Sequence, residues 1–162
     1  MKKISMIFLF MILFINACSK TSNNIQSIKS DDLSSLTPQQ IVTLYFQSWN
    51  NKQYDIMYSL ISDGFKQIEP TAKTFEDFKS YMSKFFDTSA GVNVVSAKEA
   101  YKNEKEAGID YKIEITNKDG TKKEFASTYT LKKRVSNASE PTRSQVTGWK
   151  LIHPYGQNID TT

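Results

Sequence analysis

Apolar positions are spread very unevenly along this chain. Met6 to Ile15 is an unbroken apolar run. From Ser19 to Leu36 the apolar residues are isolated, at Ile25, Ile28, Leu33 and Leu36, and show no period. From Ile41 they recur at helical spacing, as Ile41, Leu44, Tyr45, Ser48 and Trp49, with Val42 and Phe46 widening the stripe. Thr37-Pro38-Gln39-Gln40 is the matching start signal. It offers a capping threonine, a proline at the first helical position and a glutamine that completes a capping box. Asn50-Asn51-Lys52-Gln53 breaks the stripe, and Asn tolerates the left-handed backbone that often ends a helix. Tyr54, Met57, Tyr58 and Ile61 form the face of a second helix, with Ser62-Asp63-Gly64 as its stop. Phe65 to Lys73 holds Pro70 and reads as irregular. Thr74-Phe75-Glu76-Asp77 repeats the capping signal, with acidic residues in the first turn. Phe75, Phe78, Met82, Phe85 and Phe86 then mark the inner face of a third helix, Tyr81 flanks it, and Gly91 ends it.

Beyond Gly91 the period changes to two. Val92, Val94 and Val95 open a strand that runs to Tyr101, and Asn103 to Gly108 is a charged turn. Ile109, Tyr111, Ile113 and Ile115 alternate strictly with Asp110, Lys112, Glu114 and Thr116, so one face is buried and the other wet. Asn117-Lys118-Asp119-Gly120 is a hairpin turn. Phe125, Tyr129 and Leu131 lie in the next strand, Ser136 to Thr147 is a long polar loop, and Gly148 to His153 is the last strand. Three helical patterns followed by four strand patterns predict a segregated α+β domain over residues 37–156, with a tail at 157–162.

Composition narrows the function classes. At 162 residues and 39% hydrophobic, the chain can build one packed domain plus extensions. The formal charge is +4; without Lys2 and Lys3, 19 basic residues face 17 acidic ones, or +2. That excess is too small and too scattered for a nucleic-acid surface, so no nucleic-acid partner is expected. One cysteine excludes an internal disulfide. With one cysteine and one histidine, a protein-built zinc or Fe–S site lacks ligands, so neither a metal nor a cofactor is expected.

The N-terminus carries the most specific chemistry. Lys2-Lys3 followed by the Met6–Ile15 run has the form of a signal peptide and is too short to span a bilayer. It ends in Ile15-Asn16-Ala17-Cys18-Ser19, with the chain's only cysteine directly after a small residue. This resembles a bacterial lipobox. The resemblance implies cleavage of residues 1–17, transfer of a diacylglycerol to the Cys18 thiol, and an extracytoplasmic chain anchored to the cell membrane or outer membrane. Two or three acyl chains anchor stably where one binds marginally. The other readings are an ordinary signal peptide that leaves Cys18 as a free thiol, and an uncleaved anchor. Residues 18–36 then read as a flexible tether.

Tyr45-Phe46-Gln47-Ser48-Trp49-Asn50-Asn51-Lys52-Gln53-Tyr54-Asp55-Ile56-Met57-Tyr58-Ser59-Leu60-Ile61-Ser62 is similar to the opening of the NTF2-like superfamily. It is most similar to NTF2-like domains at the N-terminus of penicillin-binding transpeptidases and to small lipoproteins carrying that domain alone. The resemblance implies a cone, in which three helices lie in the concavity of a strongly curved, mostly antiparallel sheet of about four strands, with a pocket at the mouth. Phe65 to Lys73 would be a loop or short edge strand over that sheet. Tyr45, Trp49, Tyr58, Tyr81, Phe85, Phe125, Tyr129 and Trp149 either pack the core between helices and sheet or line such a pocket. No catalytic residue is assigned. His153, before Pro154 at the end of the last strand, reads as a surface residue. Ketosteroid isomerases and polyketide cyclases of this superfamily use an acidic base inside the cone. Here Asp110 and Glu114 fall on the face opposite the isoleucines. The expectation is therefore a non-catalytic envelope domain binding a partner protein or a small ligand. The alternatives are an isomerase- or cyclase-type pocket enzyme and a structural spacer.

Cys18→Ser is expected to abolish metabolic labelling of the protein with palmitate. Continued labelling of the variant would sink the lipoprotein reading.

Overall fold

The computed structural model describes residues 33–134 and 148–155. The leader at 1–17, Cys18, most of the tether, the loop at 136–147 and the tail at 157–162 lie outside the described residues. Helix α1 spans Pro38–Asn50 and opens on the expected capping box. The Gln40 N–H donates to Thr37 Oγ1 at 3.3 Å, and the Thr37 N–H donates to Gln40 Oε1 at 2.8 Å. These bonds satisfy amides that a helix start otherwise leaves unpaired. α1 buries Ile41, Val42, Leu44, Tyr45 and Phe46. In the turn that follows, the left-handed residue is Lys52, at φ 59°, rather than an asparagine. Asn50 instead accepts the Val92 N–H at 3.0 Å, which ties the turn to the sheet. Gly91 permits this approach, since a Cβ there would lie 2.9 Å from Asn50 Oδ1.

Helix α2 spans Tyr54–Leu60, one residue shorter than its apolar stripe. Ile61 leaves the helix because it forms a parallel bridge to Leu151, and the Ser62 N–H donates to Leu151 O at 2.9 Å. Tertiary pairing here overrides local propensity. Ser62-Asp63-Gly64 is therefore a start and not a stop. Ser62 caps helix α3, Asp63–Ile68, through the Phe65 N–H at 2.9 Å. A 3₁₀ turn at Pro70–Ala72 follows. The stretch expected to be a loop or edge strand is thus largely helical. Thr74 caps helix α4, Phe75–Ser83, and a short helix α5, Phe85–Thr88, continues after Lys84. The single third helix of the sequence reading is two, and Gly91 lies beyond both.

The sheet is an antiparallel meander in the order β1-β2-β3-β4, with β1 Ser89–Lys102, β2 Glu106–Asn117, β3 Lys122–Arg134 and β4 Gly148–Leu151. Register shifts interrupt β1 between Ser89 and Gly91, Val94 and Ser96, and Glu99 and Tyr101. Irregularities of this kind bend a strand and raise its twist, which lets the sheet curl around the helices. Val92, Ala97, Ile109, Tyr111, Ile113, Leu131 and Leu151 are buried on the concave side. The convex side is charged and cross-linked between strands, as Lys112–Glu124 at 2.7 Å and Lys122–Glu114 at 2.9 Å. This is the segregated α+β domain that the sequence pattern predicts, in the cone form that the family resemblance implies.

One boundary differs. Leu33, assigned to the tether by its isolated position, is 7% exposed and belongs to the core. Gly148, at φ +131°, accommodates the same segment, because a Cβ there would meet Ser34 Cα at 3.0 Å. Packing therefore begins before the Thr37 cap.

Candidate functional site

Between the helices and the concave sheet lies a partly open cavity of about 210 Å³. α1 contributes Tyr45 and Trp49, α3 Phe65, and the turn after it Glu69 and Thr71. α4 contributes Phe78, Tyr81 and Met82, and β3 contributes Tyr129. The i, i+4 spacing of Tyr45 and Trp49, and of Phe78 and Met82, sets two stripes across the gap.

The aromatic walls interlock through ring contacts. Tyr129 stacks on Tyr111 at 4.9 Å between ring centroids, and Phe46 lies 4.8 Å from Tyr111. Tyr45 meets Tyr129 edge-on at 6.0 Å. Trp49 packs on Phe85 at 4.3 Å and donates its indole N–H to Met82 O at 3.3 Å. Burial raises the pKa of the Tyr45 and Tyr129 hydroxyls, which also share a hydrogen bond with each other. Both stay protonated under ordinary conditions and act as neutral polar groups.

One acidic group stands in this lining. Glu69 Oε1 accepts the Thr71 hydroxyl at 2.7 Å and the Thr71 N–H at 3.1 Å, and Oε2 lies 3.4 Å from His153 Nε2. The Thr71 hydroxyl is the largest influence holding this carboxyl below its usual range. The Thr71 amide adds to it, burial opposes it, and His153 adds a smaller contribution. His153 corrects the surface assignment, since it is 9% exposed. Its ring lies 5.0 Å from Phe65, and its Nδ1 accepts the Tyr155 N–H at 3.2 Å, which places the ring proton on Nε2, facing Glu69. α3 covers this histidine, and no periodicity announced α3.

Of the eight aromatics singled out from sequence, Tyr45, Trp49, Tyr81 and Tyr129 line the cavity. The other four do not. Tyr58 packs between Phe75 and Phe78, at 5.7 Å and 5.5 Å, and donates to Lys73 O at 3.4 Å. Phe85 stands behind Trp49. Phe125 is 54% exposed beyond Tyr111, and Trp149 is buried on β4. Phe65, Glu69, Thr71, Phe78 and Met82 were not on that list. Phe78 and Met82 carried a signal, as the inner stripe of α4; Glu69, next to Pro70, carried none. Asp110 and Glu114 stand outside the cone, bonded to Thr128 and Lys122. Among the described residues no group of three or more His, Cys, Asp or Glu side chains could hold a metal ion.

A cone of helices inside a curled antiparallel sheet, with its opening between α1, α4 and β3, defines an NTF2-like domain. Residues 37–153 match the NTF2-like N-terminal transpeptidase domain, and the chain belongs to that family. A conserved protein from Planctomyces limnophilus DSM 3776 is similar in fold, at TM-score 0.50 and 17% identity, over 75% of this chain and 91% of that one. A candidate polyketide cyclase from Xanthomonas campestris pv. campestris aligns at TM-score 0.40 and 13% identity, over 72% of this chain and 89% of its own. A candidate aromatic ring hydroxylase from Novosphingobium aromaticivorans aligns at 0.45 and 11%, over 70% and 80%. A search of the curated proteins finds no match.

The lowered pKa of Glu69 has a consequence for stability. A carboxylate depressed in the folded state stabilises it above the unfolded-state value of about 4–5, and that contribution is lost as pH falls through the folded-state value. The stability advantage of the wild-type chain over Glu69→Gln, measured by urea unfolding, is expected to be full at neutral pH and to shrink below about pH 4. An advantage that does not depend on pH would contradict this assignment.

Proposed function

We propose that this is a lipid-anchored protein of the cell envelope whose NTF2-like domain is a non-catalytic module that binds a small ligand in the cone. The observation that carries the reading is the cavity itself, with its two buried, protonated tyrosines and one carboxylate of lowered pKa. A general base works best with a pKa near the operating pH. The Thr71 bonds push Glu69 the other way, so it orients and attracts more readily than it abstracts protons. The ligand reading is preferred to a protein partner because, among the described residues, the convex sheet is crossed by the ion pairs Lys112–Glu124 and Lys122–Glu114, and charged pairs are not what the core of a protein interface is made of. The Cys18 motif supports the anchor and the envelope location.

A pocket enzyme of the isomerase or cyclase type is the second reading. It is favoured by one observation, that Glu69 shares the cavity with Tyr45, Tyr81 and Tyr129.

A charge-blind screen of small aromatic and aliphatic compounds against the full chain in detergent tests the binding reading. Hits are expected to shift the Trp49 indole N–H signal in NMR spectra, and Met82→Trp, which fills the cavity, is expected to abolish the shifts without unfolding the chain. A screen that moves no lining residue would remove this function.

A further inference from the structure

We infer that the cone takes a small organic cation, its ammonium group held between the aromatic walls and the Glu69 carboxylate. The inference rests on the ligand-binding reading above and names the class of ligand. Six of the nine lining residues are aromatic: Tyr45, Trp49, Phe65, Phe78, Tyr81 and Tyr129. Ring faces carry negative potential and attract cations lying within roughly 6 Å. Glu69 is the one charged side chain among the lining residues, and its sign is negative. Its lowered pKa keeps it ionised across the neutral range.

The hydrogen-bonding capacity of the wall points the same way. The Trp49 N–H is spent on Met82 O, and both Thr71 donors are spent on Glu69 Oε1. Tyr45 and Tyr129 spend one hydroxyl proton on each other. What remains is richer in acceptors than in donors. An anionic ligand would meet Glu69 as a like charge, with no basic side chain among the described lining residues to offset it.

Among the described residues, two lysines that lie over aromatic rings do so outside this lining. Lys66, on the same helix as Phe65, sits 4.5 Å over the Tyr58 ring and 3.6 Å from Asp63. Lys52 lies over Phe86 at 4.7 Å. Oε2 of Glu69 has one described contact, to His153 Nε2 at 3.4 Å, which is long for a strong charge-assisted bond. That oxygen is the acceptor a ligand ammonium would use.

Size limits the class. A cavity of about 210 Å³ has room for a small ammonium headgroup and a short chain, while its partly open mouth leaves the far end of a ligand unconstrained. A quaternary ammonium alcohol fits that limit. So does a short primary amine.

Choline and its uncharged isostere, with carbon in place of the ammonium nitrogen, are suitable probes for the full chain in detergent. Calorimetry and the Trp49 indole N–H signal report binding. Choline is expected to bind at least roughly tenfold tighter than the isostere, and Glu69→Gln is expected to erase most of that difference. The choline–isostere comparison uses the wild-type chain, so it does not depend on whether the variant folds. Equal binding of the two probes would overturn the cation assignment and leave the ligand-binding reading standing. Failure of both probes to move Trp49 at millimolar concentration would also overturn it. The charge-blind screen then decides separately whether the cone binds ligands at all.

Discussion

The contact between the aromatic face of α1 and the tyrosines of the concave sheet sets the geometry on which everything else depends. Phe46 lies against Tyr111, Tyr111 stacks on Tyr129, and Tyr45 meets Tyr129 edge-on. Rings this large and stiff set how closely a helix can approach a sheet. They bring α1 into contact along its middle. The cavity opens on the flank of that contact, where α4 and the turn after α3 stand across from Trp49 and Tyr129. The three register shifts of β1 belong to the same solution, since a flat sheet would not curl around the helix.

The legible parts of the fold are those encoded locally. Thr37 and Thr74 announce α1 and α4 through capping chemistry, and the strict alternation of Ile109 to Thr116 announces a strand with one wet face. The illegible parts depend on partners distant in sequence. α3 has six residues, contains Gly64 and is followed closely by Pro70, so it shows no helical period; its cap, Ser62, looks like the end of the preceding helix. Leu33 gains its burial from packing on the domain and not from any repeat of its own. Glu69 and His153 meet where Phe65 of α3 packs against the His153 ring, beyond the end of β4. Among the eight aromatics, periodicity identified an inward side but not a depth along the cone. Trp149 and Phe125 therefore read the same as Tyr129, although only Tyr129 reaches the cavity.

Membership of the NTF2-like N-terminal transpeptidase domain family establishes the scaffold, and the scaffold is compatible with many functions. Among the described lining residues of this chain, Glu69 is the one carboxylate, and how it is held bears on what the cone can do. A carboxylate in an apolar pocket without hydrogen bonds is raised towards neutral pH and becomes a useful base. Two bonds from Thr71 oppose that effect at Glu69 and preserve a fixed negative charge. Under the proposed binding function, that fixed charge serves to attract and orient a ligand and not to take a proton.

The most direct test of this account is a carbon-detected NMR titration of the Glu69 side-chain carboxyl in the intact chain. The account predicts a midpoint below the ordinary glutamate range, rising when Thr71 is replaced by Val. A midpoint at or above that range in the wild-type chain would contradict it, and would make Glu69 a candidate proton acceptor.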